Sequence, residues 1–194
     1  MQIRNKDDIL AFIQEDKWMM DILASVKLLN LPDWWVCAGF VRSKIWDVLH
    51  DFDEKTPLPD IDVIYYDQAI VEEKEEKRLE EQLKDLMPTI PWSVKNQARM
   101  HIENGIPPYT SAEDAIAKFP ETATALGVKL DEGNHVILTA PHGVQDIVNL
   151  VVRPTPYFFE SEERMLIYAE RVRKKNWQSI WGQVDVIGWD VNRI

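Results

Sequence analysis

The stretch Trp34-Trp-Val-Cys-Ala-Gly-Phe-Val-Arg42 passes from a short apolar run into a pattern typical of a helix, with Gly39 at the change. Aromatic and β-branched residues favour a strand for the apolar run. The apolar residues that follow recur at the three-to-four spacing of one helix face: Val41, Ile45, Val48 and Leu49. The stretch therefore predicts a strand, a turn at Gly39 and a helix.

A second strand is predicted for Asp60-Ile-Asp-Val-Ile-Tyr-Tyr66, which follows an acidic loop with prolines. Side chains alternate between the two faces of a strand, so Asp60 and Asp62 point the same way with Cα atoms about 6.6 Å apart. Ile61 and Val63 then face helices on the other side. Two like charges on a half-buried strand repel and lose hydration, and a divalent cation would relieve both costs. The alternative is a solvated strand end whose acids meet lysines or cap a helix.

The helix start at Gly39 is a candidate phosphate site. Free amide groups and the positive end of the helix dipole lie at such a start. Arg42, in the first turn, offers a guanidinium that binds phosphate oxygens as a fork. The alternative is that Gly39 only makes a tight turn and that Arg42 pairs with an acid of the 51–54 loop.

Composition limits the classes of function. The net charge of -11 and the pI near 4.8 oppose an extended nucleic-acid interface, which needs clustered Lys and Arg, and leave room for a local basic pocket. The sequence shows no leader peptide and no apolar run of about 20 residues, which predicts a cytoplasmic chain without a membrane partner. The lone cysteine, Cys37, is expected to be a buried, inert thiol in a reducing compartment. The eight tryptophans are interpreted as core and interface residues with no collective role.

The rest of the chain alternates between predicted helices and short strands. Helices are expected over 6–15, over a second stretch that ends at Pro32, over 68–87 as a solvated helix, over 111–118, over 143–150, and over 160–175 as the terminal helix. A third strand is expected at 92–95, a hairpin is expected to join 128–130 to 135–139, and 96–101 either extends the third strand or, as favoured, starts a helix. This order predicts an α/β or α+β fold in one unit, residues 1–194.

These residues resemble the nucleotidyltransferase superfamily with the DNA polymerase β-type fold. The superfamily signature is a strand, a glycine pair at a helix start and then Asp-x-Asp on the next strand, which matches Cys37-Ala-Gly-Phe-Val-Arg42 and Asp60-Ile-Asp62. The Val41-Arg42 pair is similar to the Gly-Gly-x-Val-Arg run of CCA-adding enzymes. The chain more closely resembles a small bacterial nucleotidyltransferase-like family, in the blocks 38–42 with Trp46-Asp47, 60–67, 94–101, 119–124 and 150–155.

The resemblance implies an α+β fold with an α/β-like core: a mixed sheet flanked by helices, a catalytic-type core over about residues 31–103, and helical additions at both ends. It implies metal-dependent transfer of a nucleoside monophosphate from an NTP to a hydroxyl of a small molecule, protein or RNA, with release of pyrophosphate. Asp60 and Asp62 would hold Mg²⁺ or Mn²⁺. Gly39 and Arg42 would bind phosphates. Lys95 would neutralise the leaving group, unless it is a surface lysine.

Three departures from the superfamily pattern leave the activity open. Ala38 stands where the superfamily has its first glycine, and the interval from Gly39 to Asp60 is longer than usual. Many members carry a third carboxylate on the third strand, where this chain has Ser93 and no acid. Either two carboxylates suffice, or Asp146 supplies the third, or the chain is a noncatalytic nucleotide-binding or regulatory module.

Other polar residues are expected to have structural roles. Asp146, if it does not bind metal, is expected to cap a helix or to pair with Arg153. The four histidines form no metal-binding motif. Glu121, Thr122 and Thr124 are expected to form a network that stabilises a loop.

Overall fold

Seven strands lie in residues 3–188, the part of the chain that this computed structural model describes. They are β1 (Trp35–Cys37), β2 (Ile61–Tyr65), β3 (Trp92–Asn96), β4 (Gly127–Leu130), β5 (Val136–Thr139), β6 (Val151–Val152) and β7 (Asp185–Val186). The first five form one sheet in the order β3-β2-β1-β4-β5, in which only β2 and β3 run parallel. The remaining two form a separate parallel pair. The main sheet is therefore mixed, as predicted.

Nine α-helices accompany these strands in the same residues. They are α1 (Lys6–Glu15), α2 (Lys17–Lys27), α3 (Gly39–Leu49), α4 (Glu73–Leu86), α5 (Gln97–Glu103), α6 (Ala112–Ala117), α7 (Gln145–Val148), α8 (Pro156–Phe159) and α9 (Glu162–Lys175). The predicted first helix is confirmed at both ends. It begins after Asn5, whose side chain accepts a hydrogen bond from the Asp8 N–H over 3.0 Å and so satisfies a free amide.

Several local predictions in the second half are also confirmed. The favoured helix after β3 is α5, and the Asn96 side chain caps it by accepting from the Ala98 N–H over 3.0 Å. The predicted hairpin is formed by β4 and β5. The short helix predicted over 111–118 is α6, capped by Ser111. The helix predicted over 143–150 is shorter, because only Gln145–Val148 is helical.

Helix α4 differs from the prediction in its start and in its burial. It begins at Glu73 rather than at residue 68. Two of its acids are buried rather than solvated, and Glu76 is 0% exposed. The carboxylates of Glu76 and Glu80 accept hydrogen bonds from the backbone N–H groups of Asn96 and Val94, each over 3.0 Å. Because β3 is an edge strand, these acids satisfy donors that no neighbouring strand reaches.

The chain continues in regular structure beyond α9, which was predicted to be the terminal helix. A 3-10 turn spans Trp177–Ser179, and β7 then pairs with β6. The rings of Trp177 and Trp181 pack edge-on against Trp46 of α3, with centroids 5.9 and 5.2 Å away. The interpretation that the tryptophans have no collective role is therefore wrong for these three, which form one cluster.

The main sheet has two unequal faces. Ile61 and Val63 of β2 belong to the larger core, which residues of α1, α2, α3 and α4 complete. The opposite face carries a small apolar cluster that includes Ile64 and is covered by α6. Asp62, two residues before Ile64, lies on this second face, because side chains alternate along a strand. A cleft opens there between the sheet, α5, α8 and α9.

Candidate active site

The acidic pair lies where β2 enters the sheet. Asp60 is exposed and immediately precedes the strand, whereas Asp62 is the second strand residue and is half-buried. Ile61 and Val63 are fully buried on the other face, as the alternation predicted. The strand is hydrogen-bonded on both sides, by β1 and β3, so the backbone that carries the pair is fixed.

The environment of Asp62 opposes its negative charge. The pKa of Asp62 is raised from 3.8 to about 6, first by burial and then by the charge of Asp60. The neighbouring Ser93 hydroxyl and the positive charges of Lys175 and Arg171 act in the opposite direction. Ser93 lies beside Asp62 in the parallel register of β2 and β3. The third acid was expected at the position of Ser93. This position is adjacent to the acidic pair, and its side chain is a hydroxyl.

The turn from β1 into α3 has its unusual torsion angles at Ala38, not at Gly39. Ala38 has φ 52° and ψ −115°, a conformation that glycine adopts most easily. A Cβ atom added to Gly39 would lie 3.6 Å from Nη2 of Arg42 and 3.8 Å from Leu58, which is ordinary contact. The tight turn therefore does not require a glycine at position 39.

Arg42 is buried beneath this helix start and is only 9% exposed. Its guanidinium carbon lies over three indole rings, 5.3 Å from the centroid of Trp46, 4.9 Å from that of Trp177 and 5.5 Å from that of Trp181. Such cation–π contacts stabilise a desolvated cation. Arg42 forms no ion pair with the 51–54 loop within the described residues, so that alternative is wrong.

The guanidinium of Arg42 is incompletely hydrogen-bonded. Nη2 donates to Oγ of Ser43 over 3.2 Å, and Nε has no hydrogen-bond partner in residues 3–188. Burial lowers the pKa of Arg42 to about 10, while the charge of Glu121 and, more weakly, that of Asp60 act to raise it. Arg42 is therefore a buried positive charge within electrostatic reach of the acidic pair.

Asp47 joins three parts of the structure that surround the pair. Its carboxylate accepts hydrogen bonds from the backbone N–H and the hydroxyl of Thr56, over 2.8 and 2.6 Å, and from the indole N–H of Trp181 over 2.8 Å. Thr56 belongs to the loop that leads into Asp60. Asp47 thus fixes both this loop and the aromatic cluster.

The cleft beside Asp62 has a volume of about 580 Å³. Its basic residues are Lys95, Lys118, Arg164 and Arg171, and its aromatic residues are Tyr109, Phe119, Tyr157 and Phe158. Ala38 of the helix start also lines it, whereas Asp60 and Arg42 do not. Lys95 lies 3.5 Å from the buried Glu76 and is 31% exposed, so it both pairs with an acid and faces the cleft.

Arg171, which lines the cleft, is held by the buried acid Glu121, and the sequence analysis did not identify it as a site residue. Glu121 is 0% exposed and accepts hydrogen bonds from Nε of Arg171 over 2.6 Å and from the Thr124 hydroxyl over 2.7 Å. The predicted loop network is therefore confirmed for Glu121 and Thr124, whereas the Thr122 hydroxyl donates to Asp146. Arg171 had no signal in the sequence beyond its place among the basic residues that end α9.

Asp146 is engaged elsewhere. Its carboxylate pairs with Nε of Arg153 over 2.9 Å and accepts a hydrogen bond from the Thr122 hydroxyl over 2.6 Å. This is the pairing with Arg153 that the sequence left as an alternative. In residues 3–188 no group of three or more His, Cys, Asp or Glu side chains is arranged to hold a metal ion. Within the same residues, no helix has the length and apolar character needed to cross a membrane.

Comparisons with known proteins agree with this geometry. A family model described as Nucleotidyltransferase matches residues 24–186. A protein whose NMR structure is described as revealing a CCA-adding enzyme head domain is 40% identical, with a TM-score of 0.85 over 96% of this chain and 98% of that one. No curated protein matches the chain.

Longer CCA-adding enzymes are similar at lower identity. One solved in complex with ATP is 17% identical, with a TM-score of 0.53 over 91% of this chain and 43% of that one. The Thermotoga maritima enzyme solved with tRNA is 16% identical, with a TM-score of 0.52 over 100% of this chain and 45% of that one. The chain spans less than half the length of these two enzymes, which support the fold alone. The family match and the 40% identical structure, in contrast, each cover most of the chain. The chain therefore belongs to a nucleotidyltransferase family and has the polymerase β-type fold of a CCA-adding enzyme head domain.

Proposed function

We propose that this nucleotidyltransferase moves a nucleoside monophosphate from an NTP to a hydroxyl group, with Asp60 and Asp62 as its metal-binding pair. The observation that supports this most is the position of Asp62. It is a half-buried acid beside a second acid, on the wall of a cleft whose other residues include cations and the helix start. Such a site attracts a divalent cation together with an anionic substrate.

The donor set fits magnesium or manganese. Mg²⁺ is commonly held by one or two carboxylates, with water and substrate phosphates as its other ligands, so a third protein acid is not required. The raised pKa of Asp62 is the charge conflict that a bound cation would offset. Asp60 and Asp62 would hold the ion. When bound, the ion would lower the pKa of the acceptor hydroxyl and offset charge on the phosphates.

The chain's own residues position the reactants. The amide groups at Gly39 bind a phosphate of the NTP at the start of α3, and Arg42 supports that charge from beneath. Lys95 faces the cleft and neutralises the leaving group. The hydroxyl oxygen bonds to the α-phosphorus, the bond from this phosphorus to the oxygen shared with the β-phosphorus breaks, and pyrophosphate leaves. The hydroxyl proton passes to water.

The known complexes of similar enzymes motivate the choice of substrate. CCA-adding enzymes have been solved with ATP, with CTP and with tRNA. For this chain we propose an NTP as the donor. The proposed acceptor is a hydroxyl group of a small molecule, a protein or RNA. A cytoplasmic location suits both the NTP and the buried thiol of Cys37, whose pKa burial raises well above its ordinary value.

A second function on the same fold is a noncatalytic nucleotide-binding or regulatory module. Ser93 favours it, because the residue beside Asp62 in the register of β3 is a hydroxyl and not the third acid. This module would bind the metal and the nucleotide at the same site. It would not transfer the nucleotide.

Metal binding is tested by thermal unfolding. Mn²⁺ or Mg²⁺ added with an NTP should raise the melting temperature, because ligands of the folded state stabilise it by about 2.7 kcal/mol at a hundredfold excess over Kd. The variant with Asp60→Asn and Asp62→Asn should lose this rise. Asp53→Asn with Asp51→Asn, two exposed acids of the neighbouring loop, is the matched control and should keep it. An equal rise in both double variants would contradict the metal assignment.

The helix start is tested by Gly39→Ala. The added methyl meets only ordinary contacts in the folded protein, so the melting temperature should not fall. It would stand between the amide groups and a phosphate and should weaken NTP binding by about tenfold, the loss of one charge-assisted hydrogen bond. Isothermal titration measures the change, and Gly182→Ala, with no atom within 4 Å of the added Cβ, is the control. If Gly39→Ala binds the NTP as tightly as the unmodified chain, the phosphate lies elsewhere.

The charge conflict at Asp62 predicts a pH dependence of stability without metal. The folded-state pKa of about 6 lies above the ordinary 3.8, so Asp62 favours folding below pH 4 and this contribution is lost as the pH rises through 6. Asp62→Asn cannot ionise, so the variant should not lose stability in this way as the pH rises. In EDTA, its free energy of unfolding should exceed that of the unmodified chain by about 1 to 3 kcal/mol at pH 8.

Urea unfolding from pH 4 to 8 measures this difference. The gap between Asp62→Asn and the unmodified chain should widen between pH 4 and 7. The control is Glu54→Gln, which removes an exposed acid of the adjacent loop and should show no such widening. A gap that stays constant across this range would mean that Asp62 carries no charge conflict.

A further inference from the structure

Arg171 is held rigidly by one edge of its guanidinium. Its Nε donates to Oε1 of Glu121 over 2.6 Å, and Glu121 is itself fixed by the Thr124 hydroxyl. Within residues 3–188, the two Nη groups of Arg171 have no hydrogen-bond partner, and the side chain is 36% exposed. A guanidinium that is fixed by a buried carboxylate and keeps free donors is preorganised to bind a further anion.

A groove continues from the cleft along α9. It has a volume of about 650 Å³ and is lined by Ile167, Glu170, Arg171, Lys174 and Lys175. Ile167 and Arg171 also line the cleft beside Asp62, so the two spaces adjoin.

The groove is basic in a chain that is strongly acidic. Three of its five lining residues are cations and one is an acid, whereas the whole chain carries a net charge of -11. Lys174 and Lys175 are exposed and form no ion pair in the part of the chain that the structure describes. Unpaired cations grouped on one face of a helix attract anions from solution.

The groove lies within electrostatic reach of the acidic pair. Arg171 lines both the groove and the cleft that Asp62 borders. The phosphate site proposed above uses a different element, the start of α3, where Ala38 lines the cleft. The cleft thus has one candidate anion site at α3 and a second at α9.

We propose that Arg171 and Lys175 form an acceptor site, which binds a phosphate group of the molecule that carries the attacking hydroxyl. This inference rests on the proposed function, because an acceptor has meaning only if the chain transfers a nucleotide. The nucleotide occupies the acidic pair and the helix start. A phosphate bound at α9 holds the acceptor on the opposite wall and presents its hydroxyl to the space between them.

Inorganic phosphate is the first probe, titrated in EDTA without nucleotide and followed by ³¹P NMR line broadening. Lys175→Gln should raise the Kd about tenfold, as expected when a charge-assisted contact is lost. Arg173→Gln makes the same charge change on the same helix but lies outside the groove, and its Kd should not change. Arg171→Gln should lose binding. Arg171→Gln also leaves Glu121 without its cationic partner and can unfold the chain. If Arg171→Gln unfolds, the result for Lys175→Gln decides the outcome.

Two results would overturn the site. Equal Kd values for Lys175→Gln and Arg173→Gln would show that phosphate is attracted by the general positive charge of α9 and not by a specific site. Displacement of phosphate by Mg²⁺ with a nonhydrolysable NTP would show that the site belongs to the triphosphate. Phosphate binding retained in Asp62→Asn supports a separate site. Since the first titration contains neither metal nor nucleotide, failure of the proposed nucleotide site leaves its result unaffected.

The source of the phosphate is distinguished with two further probes. Glycerol 3-phosphate offers a phosphomonoester next to free hydroxyls, and a short single-stranded oligonucleotide offers phosphodiesters and a terminal hydroxyl. Binding of either one, weakened by Lys175→Gln and not by Arg173→Gln, supports the site and identifies its source. Binding of neither overturns the assignment to an acceptor.

Discussion

The arrangement of the candidate site depends on one constraint, the burial of β2 on one face and between two neighbouring strands. Ile61 and Val63 can pack against helices only if the residue between them, Asp62, faces the other side. This places Asp62 on the open face next to Asp60, where burial and like charge raise its pKa. The core thus fixes an acid whose charged form is opposed by burial and by Asp60, and the proposed cation would relieve this conflict. A site of this kind stores a charge conflict that binding relieves.

Contacts of Asp47 and of the aromatic cluster hold the segments that surround β2. Asp47 binds both the loop that leads into Asp60 and the indole of Trp181. The indoles of the aromatic cluster in turn cover Arg42, whose charge lies under the helix start. The C-terminal segment is therefore part of the candidate site, although it follows the nucleotidyltransferase motifs by more than a hundred residues. Truncation before Trp177 would remove two of the three indoles over Arg42 and one of the three hydrogen bonds that Asp47 accepts.

The sequence allowed prediction of features that depend on near neighbours. The strand that carries Asp62 follows from alternation, and α1 follows from apolar spacing and a capping Asn5. Both patterns depend on residues a few positions apart. Contacts between distant parts of the chain left no such pattern. Arg42 meets Trp177, and Glu121 meets Arg171, only through tertiary packing. Likewise, the charge pattern of α4 predicted a solvated helix because nothing local shows that an edge strand lies beside it.

The central claim, that the pair transfers a nucleotide, is tested most directly by following the α-phosphate. The protein is incubated with each α-³²P-labelled NTP, Mg²⁺ or Mn²⁺ and a cell extract, and labelled products are separated by size and by protease or nuclease sensitivity. The account predicts label on an acceptor, release of pyrophosphate, and loss of both in Asp62→Asn. Tight nucleotide binding with no transfer from any of the four nucleotides, or transfer that persists in Asp62→Asn, would contradict it.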